Sequence, residues 1–239
     1  MVVSPAYRVA VTIPFVSVLV LVLGLLVSAG HAGASNILDY VTFDGVDYIR
    51  WPWEPGRSLT RTDLGIEFAT IECSLGEDLR GCPYGVDASA AFMPAGTKMY
   101  AVRGYATEFR LAAVWKDHVF LYQAWRNPRA KVGGDLYDIK NRVRAIEVRR
   151  GEPPSVPAAS PVEITAPGDV RALVDMVVRG AMRRPLAHPV DEPRYWLTFW
   201  LADGTTLGRP YFVDTSELLG GVALSREFRA LLERYLSAD

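Results

Sequence analysis

The chain has 239 residues, half of them hydrophobic, and its 26 Lys and Arg against 27 Asp and Glu leave a net charge of −1. That balance argues against a nucleic-acid surface, which needs clustered positive charge. The nearest approach to one, Arg142, Arg144, Arg149 and Arg150, is interrupted by Glu147 and Glu152 and reads as a solvated strand face.

Taken in chain order, the first feature is an apolar run. Arg8 precedes uncharged residues from Val9 to Ala29, and Gly30-His31-Ala32-Gly33-Ala34-Ser35 follows. A charged start, an apolar middle and an Ala-x-Ala exit have the layout of a secretory signal, with cleavage before Ser35. The run is equally long enough to span a bilayer, for which about 20 apolar residues suffice. Residues 1–34 are therefore expected to be a signal peptide or a membrane anchor. Arg8 lies before the run, and Asp39, Asp44 and Asp47 come before the next basic residue, Arg50. The positive-inside bias then leaves the rest of the chain extracytoplasmic, secreted or anchored to the cytoplasmic membrane by residues 9–29.

Residues 36–150 read as a β-rich domain. Asp39 to Arg50 carries β-branched and aromatic residues around an Asp44-Gly45 turn. Trp51-Pro-Trp-Glu-Pro-Gly56 is too Pro-rich for a regular element. Ile66–Cys73 and Thr97–Arg103 are predicted strands, and Phe109–Trp115 with His118–Trp125 forms a hairpin turning at Lys116-Asp117. Asn141 to Arg149 is the last strand of this part. Cys73 and Cys82 flank a Gly-containing loop. On an oxidising side of the membrane such a pair reads as a disulfide.

Gly151-Glu-Pro-Pro-Ser-Val-Pro-Ala-Ala-Ser-Pro161 is a candidate linker, extended by its prolines. Residues 162–239 follow as an α+β part. Val162–Thr165 is a short strand. Asp169 is expected to cap a helix with Val170, Leu173, Val174, Val177 and Val178 on one face. Tyr195–Leu201 and Thr206–Val213 make a hairpin through Asp203-Gly204, and Pro210 demotes the second strand to an edge or a bulge. Ser225 caps a final helix with Phe228, Leu231, Leu232 and Tyr235 on one face. The expected class is α+β: a mainly antiparallel β first part, then strand, helix, hairpin and helix, with both helices on one face of a small sheet.

Two stretches carry a resemblance. Phe92-Met-Pro-Ala-Gly-Thr-Lys-Met-Tyr-Ala-Val-Arg-Gly-Tyr-Ala-Thr-Glu-Phe-Arg-Leu-Ala113 and Thr62-Asp-Leu-Gly-Ile-Glu67 resemble segments of an uncharacterised family of exported and lipoprotein-like proteins of Gram-positive and related bacteria. Asp203-Gly-Thr205, Tyr211 and Glu227-Phe-Arg229 are similar to its tail. The resemblance implies export. It supplies no activity and no catalytic residue, and this chain lacks the lipid-modified Cys of the anchored relatives.

The chemistry-bearing residues are sparse. There is no phosphate loop, no His-Glu-x-x-His and no Gly-x-Ser-x-Gly. His118 and His188 have no metal-ligand spacing to a partner and read as solvent-facing loop residues. The acidic pairs Asp44/Asp47 and Asp135/Asp138 read as turn-forming and solvated. No catalytic, metal or cofactor residue is assigned. The six tryptophans are the suggestive feature, because aromatic rings with a polar edge favour interfaces. Leu197 and Phe199 are expected to face the helices, and Trp196 and Trp200 to pack on the first part. Trp51 and Trp53 are the candidates for a partner-facing patch. The expected function is a non-catalytic extracytoplasmic protein that binds an envelope protein or a glycan, with contact to the membrane through the N-terminal segment if that is retained. The alternative is an extracytoplasmic hydrolase using two converging carboxylates, one of them raised.

Overall fold

The structure, a computed structural model, describes residues 38–77, 81–151, 160–186, 188 and 192–237. The expected leader and most of the expected linker lie outside the described residues. Among the described residues no helix is long and apolar enough to cross a membrane.

Eight strands form the first sheet: β1 (Asp39–Phe43), β2 (Val46–Arg50), β3 (Leu64–Thr70), β4 (Cys73–Ser74), β5 (Ser89–Ala90), β6 (Lys98–Val102), β7 (Arg110–Trp115) and β8 (His118–Arg126). Their spatial order is β3-β6-β7-β8-β2-β1-β5-β4. β3 and β4 stand at opposite edges, yet only Ile71 and Glu72 separate them in the chain. The sheet therefore curls until its edges meet, and fully buried Ile71 closes the seam with its N–H on the Thr97 carbonyl at 2.9 Å. All pairings are antiparallel except β4 with β5. The tight turns are those the sequence predicts. Asp44 and Gly45 adopt φ of 49° and 71°, and Lys116 and Asp117 adopt 47° and 63°, as a right-twisted two-residue hairpin demands. Cys73 and Cys82 are disulfide-bonded, with Cα atoms 5.6 Å apart.

The second sheet holds β9 (Val143–Arg150), β10 (Val162–Ile164), β11 (Arg194–Leu201), β12 (Thr206–Phe212), β13 (Glu217–Leu218) and β14 (Val222–Ala223), in the order β10-β9-β11-β12-β13-β14. β9, which the sequence places last in the first part, belongs here. Its buried Ile146 and Val148 pair with buried Phe199 and Leu197 of β11. Matching parity buries both strands on the same face. Both sheets lie within one compact unit, Leu38–Asp239. A single buried apolar cluster runs from Val41 and Leu111 of the first to Leu197 and Phe199 of the second. The molecule is thus mainly β, with two largely antiparallel sheets and two α-helices among the described residues, loosely the α+β class expected.

Helix α1 (Pro167–Arg179) buries Val170, Leu173, Val174 and Val177, while Val178 is half-buried. It begins two residues before the expected cap. Pro167 fixes φ at the first helical position, and Asp169 falls in the first turn, accepting from the Tyr235 hydroxyl at 2.6 Å. Helix α2 (Arg226–Leu236) starts as expected, with Ser225 accepting the Phe228 N–H at 3.4 Å. Pro210 is neither at an edge nor in a bulge. β12 is flanked by β11 and β13, but β13 pairs only at Tyr211 and Phe212. The Pro210 carbonyl accepts from Leu219 N–H at 3.0 Å, so the missing donor points past the end of a two-residue strand.

Candidate binding groove

β2 ends at Arg50, and the next six residues contain Pro52 and Pro55. Proline donates no ladder hydrogen bond, so the chain leaves the first sheet here and crosses to the second as a strap. The strap is tied down at four points. The Thr206 hydroxyl donates to the Pro55 carbonyl, the Gly208 N–H donates to Glu54 Oε1, Arg57 N–H reaches the Gly204 carbonyl at 3.0 Å, and Arg57 Nε reaches the Asp203 carbonyl at 2.7 Å. Two glycines make the approach possible. Gly56 sits at φ 101°, and a Cβ there would lie 2.8 Å from the Gly204 carbonyl oxygen. A Cβ on Gly208 would meet the Trp196 ring at 3.1 Å and the Glu54 carboxylate at 3.2 Å.

The strap brings four indoles together. Trp51 and Trp53 have ring centroids 5.3 Å apart, and Trp51 meets Trp196 edge-on at 5.6 Å. Trp125, from the end of β8, completes a groove of about 260 Å³ that Leu38 and Arg194 also line. Trp51, Trp53 and Trp125 are half-buried, and Trp196 is 4% exposed. The indole N–H groups of Trp51, Trp53 and Trp125 are buried and have no hydrogen-bond acceptor. The described lining contains no carboxylate. The expected patch at Trp51 and Trp53 is therefore a recessed groove, and the structure adds Trp125 and Trp196 to it.

Beneath the strap lies a buried charged layer. Arg110 and Arg209 are fully buried. Arg110 donates to the Thr205 hydroxyl and the Thr206 carbonyl, both at 2.7 Å, and lies over the Tyr105 and Phe109 rings at 4.5 and 4.7 Å. Arg209 donates to the Ala124 carbonyl at 2.9 Å, joining β12 to the first sheet. Glu54 keeps some solvent contact as a residue, but its carboxyl is buried. Burial pushes that carboxyl up to about 7, against the opposing pull of Arg209, the Gly208 N–H and Arg110. On the other side of Trp51 a second cleft, of about 570 Å³, is lined by the strap and the β7–β8 tip. Its cations are paired: Arg50 with Asp39 at 2.6 Å, Arg57 with Asp63 at 2.9 Å, and Arg61 with Asp117 at 3.1 Å. The Arg57 guanidinium holds the Asp63 carboxyl down at about 2.

Several expected surface residues are placed differently. His118 is exposed at its hairpin tip, as predicted, but His188 is not solvent-facing. Its ring stacks on Phe212 at 3.5 Å, with Nδ1 2.8 Å from Glu192 and Nε2 3.2 Å from Glu217. Ionised carboxylates only accept hydrogen bonds, so satisfying both contacts needs a hydrogen on each ring nitrogen or on one carboxyl. Burial would raise Glu192, but its bonds from His188 and Thr215 prevail and hold it below the usual carboxylate range. Two carboxyls thus converge on His188, and that of Glu192 is held down rather than raised. Asp47 is fully buried rather than solvated, accepting from Thr42 at 2.8 Å, Tyr84 at 3.0 Å and Arg126 at 2.6 Å. Asp135 does form a turn, accepting the N–H groups of Lys131 and Val132. Trp200 meets the expected first part at its last strand, β9, where its N–H reaches Glu147 at 3.4 Å and Arg144 lies 5.7 Å from its ring. Among the described residues no group of three or more His, Cys, Asp or Glu is placed to hold a metal ion. No family model, curated protein or solved structure matches this chain.

Proposed function

We propose that this chain is an extracytoplasmic binding protein, secreted or held at the membrane by residues 9–29, whose ligand sits in the four-tryptophan groove. One observation carries the reading: three of the four indoles that line the groove hold buried N–H groups with no acceptor. A buried donor left unsatisfied costs about 1–3 kcal/mol. A ligand that brings acceptor oxygens between the rings recovers that energy and buries apolar ring area as well. An envelope glycan or an envelope protein are the partner classes this favours, and recognition rather than catalysis is the role. The disulfide supports an oxidising compartment, because thiols in the cytosol are kept reduced. The resemblance of its sequence to an exported family points the same way. We read residues 162–239 as strand, helix, hairpin and helix with both helices on one face. The packing of α1 on β9 and of α2 on β10 supports this.

The test is a glycan array and an indole-emission titration on the full chain. A ligand should shift the emission, and Trp125→Ala should weaken its binding at least tenfold, as buried aromatic anchors do. Unchanged affinity in Trp51→Ala and Trp125→Ala alike would remove the groove from consideration. The N-terminal residue of the native protein, read together with its membrane fraction, tests the compartment.

A further inference from the structure

We infer that the ligand is a neutral oligosaccharide, one ring of which lies in the tryptophan groove while the chain continues over Trp51 into the neighbouring cleft. The inference rests on the groove being the ligand seat and adds what occupies it.

Continuity comes first. Trp51 lines the 260 Å³ groove and the 570 Å³ cleft alike, so one ring forms a wall common to both. The strap fixes that wall through Glu54 and Pro55, which also line the cleft. The two spaces together have the volume of an elongated ligand of about three sugar rings.

Complementarity comes second. The groove offers ring faces, with buried indole N–H groups of Trp51, Trp53 and Trp125 that have no acceptor, and its described lining holds Arg194 and no carboxylate. A pyranose presents an apolar C–H face to an indole and carries hydroxyl oxygens that accept at its rim. The cleft is more polar and mixes both signs. Thr60, Arg61, Asp117 and His118 lie along it, and Arg50, Arg57 and Arg61 are each paired with an aspartate. Paired cations leave no net field to draw a phosphate or a polyanion, whereas a neutral polyol exchanges hydrogen bonds with donors and acceptors alike. An extended peptide would gain most from an open strand edge. The groove does not offer one: β8 pairs with both β7 and β2, and β11 with both β9 and β12.

The experiment is calorimetric titration of the full chain with β-1,4-linked N-acetylglucosamine and glucose oligomers of one, three and six units. For at least one series, affinity should rise at least tenfold from one unit to three and level off by six. Trp125→Ala, in the groove alone, should weaken every length to a similar degree. Arg61→Ala, in the cleft alone and exposed, should weaken only the longer oligomers. Trp51→Phe, which keeps a packed ring, should reduce the gain with length. A monomer binding as tightly as the trimer overturns the continuous track and leaves the groove as a ligand seat. Failure of both sugar series at all lengths overturns the oligosaccharide, and if Trp125→Ala still abolishes binding of another ligand the groove reading survives that loss.

Discussion

Replacing Glu54 with Gln isolates the charge that lies beneath the strap. The amide oxygen can still accept the Gly208 N–H that Glu54 Oε1 takes, so the perturbation removes ionisation and keeps the tie. Burial, the largest influence, raises this carboxyl from its ordinary value of 4.5 to about 7. A carboxyl raised in the folded state binds its proton more tightly there than in the unfolded chain. Its stabilisation is therefore complete below pH 4.5 and is lost as pH climbs through about 7. At about 1.4 kcal/mol per pKa unit, the gap amounts to about 3 kcal/mol, of which about 2–3 kcal/mol is lost between pH 5 and pH 8.

Urea unfolding of wild type and Glu54→Gln at both pH values measures this directly. The variant should be close to wild type at pH 5 and more stable by about 2 kcal/mol at pH 8. Equal midpoints at pH 8 would mean that the carboxyl ionises freely, and the picture of a desolvated acid beneath the strap would be wrong. A variant weaker than wild type at pH 8 would mean that attraction to Arg209 and Arg110 exceeds the penalty of burial, which reverses the argument.

The remaining predictions concern two other ties. Replacing both Cys73 and Cys82 with Ala should lower stability by about 2–3 kcal/mol, because the bond closes a short loop and restrains the unfolded chain; the drop in urea midpoint relative to the oxidised protein reads it, and a change under 0.5 kcal/mol would argue against the restraint. His188→Ala should cost about 1–3 kcal/mol near neutral pH, since it leaves buried Glu192 and Glu217 each without one partner and strips the ring from Phe212. It should also blunt the loss of stability on acidification, because a carboxyl held low by its partners stabilises at higher pH and loses that contribution as pH falls. Matching urea midpoints and pH profiles for variant and wild type would show the contacts to be idle.

The local signals in this sequence were legible wherever one stretch of chain determines the outcome. Asp44-Gly45 and Lys116-Asp117 set hairpins because their left-handed backbone suits a two-residue turn. The apolar stripes of α1 and α2 are read from spacing alone, since one face of each helix must be covered. Assignment of β9 to a sheet was not legible. Its alternation of Ile146 and Val148 with Glu147 and Arg149 fits any half-buried strand, and only the partner, β11, decides. Helix α1 began early because a proline at the first position competes with a capping carboxylate two residues later, and both signals were present.

The groove was half legible for a related reason. Pro52 and Pro55 announce that Trp51 and Trp53 cannot lie in a strand, which is a local fact. Trp125 and Trp196 join them only because the strap lands on β12, and the landing is fixed by long-range contacts to Thr206 and Gly208. The charged layer beneath was hidden by residue type, since Glu and Arg are rarely buried unless paired. Arg110 and Arg209 are buried, with the Glu54 carboxyl acting on both and Asp203 acting on Arg110, and Glu54 is itself the tie between strap and sheet. Removing that tie leaves the Gly208 N–H without its acceptor and loosens the wall that carries Trp51. Ring geometry in the groove thus depends on the tie at Glu54, so in an indole-emission titration a ligand seated against Trp51 should lose affinity in Glu54→Ala, which removes the tie, and keep it in Glu54→Gln, which does not.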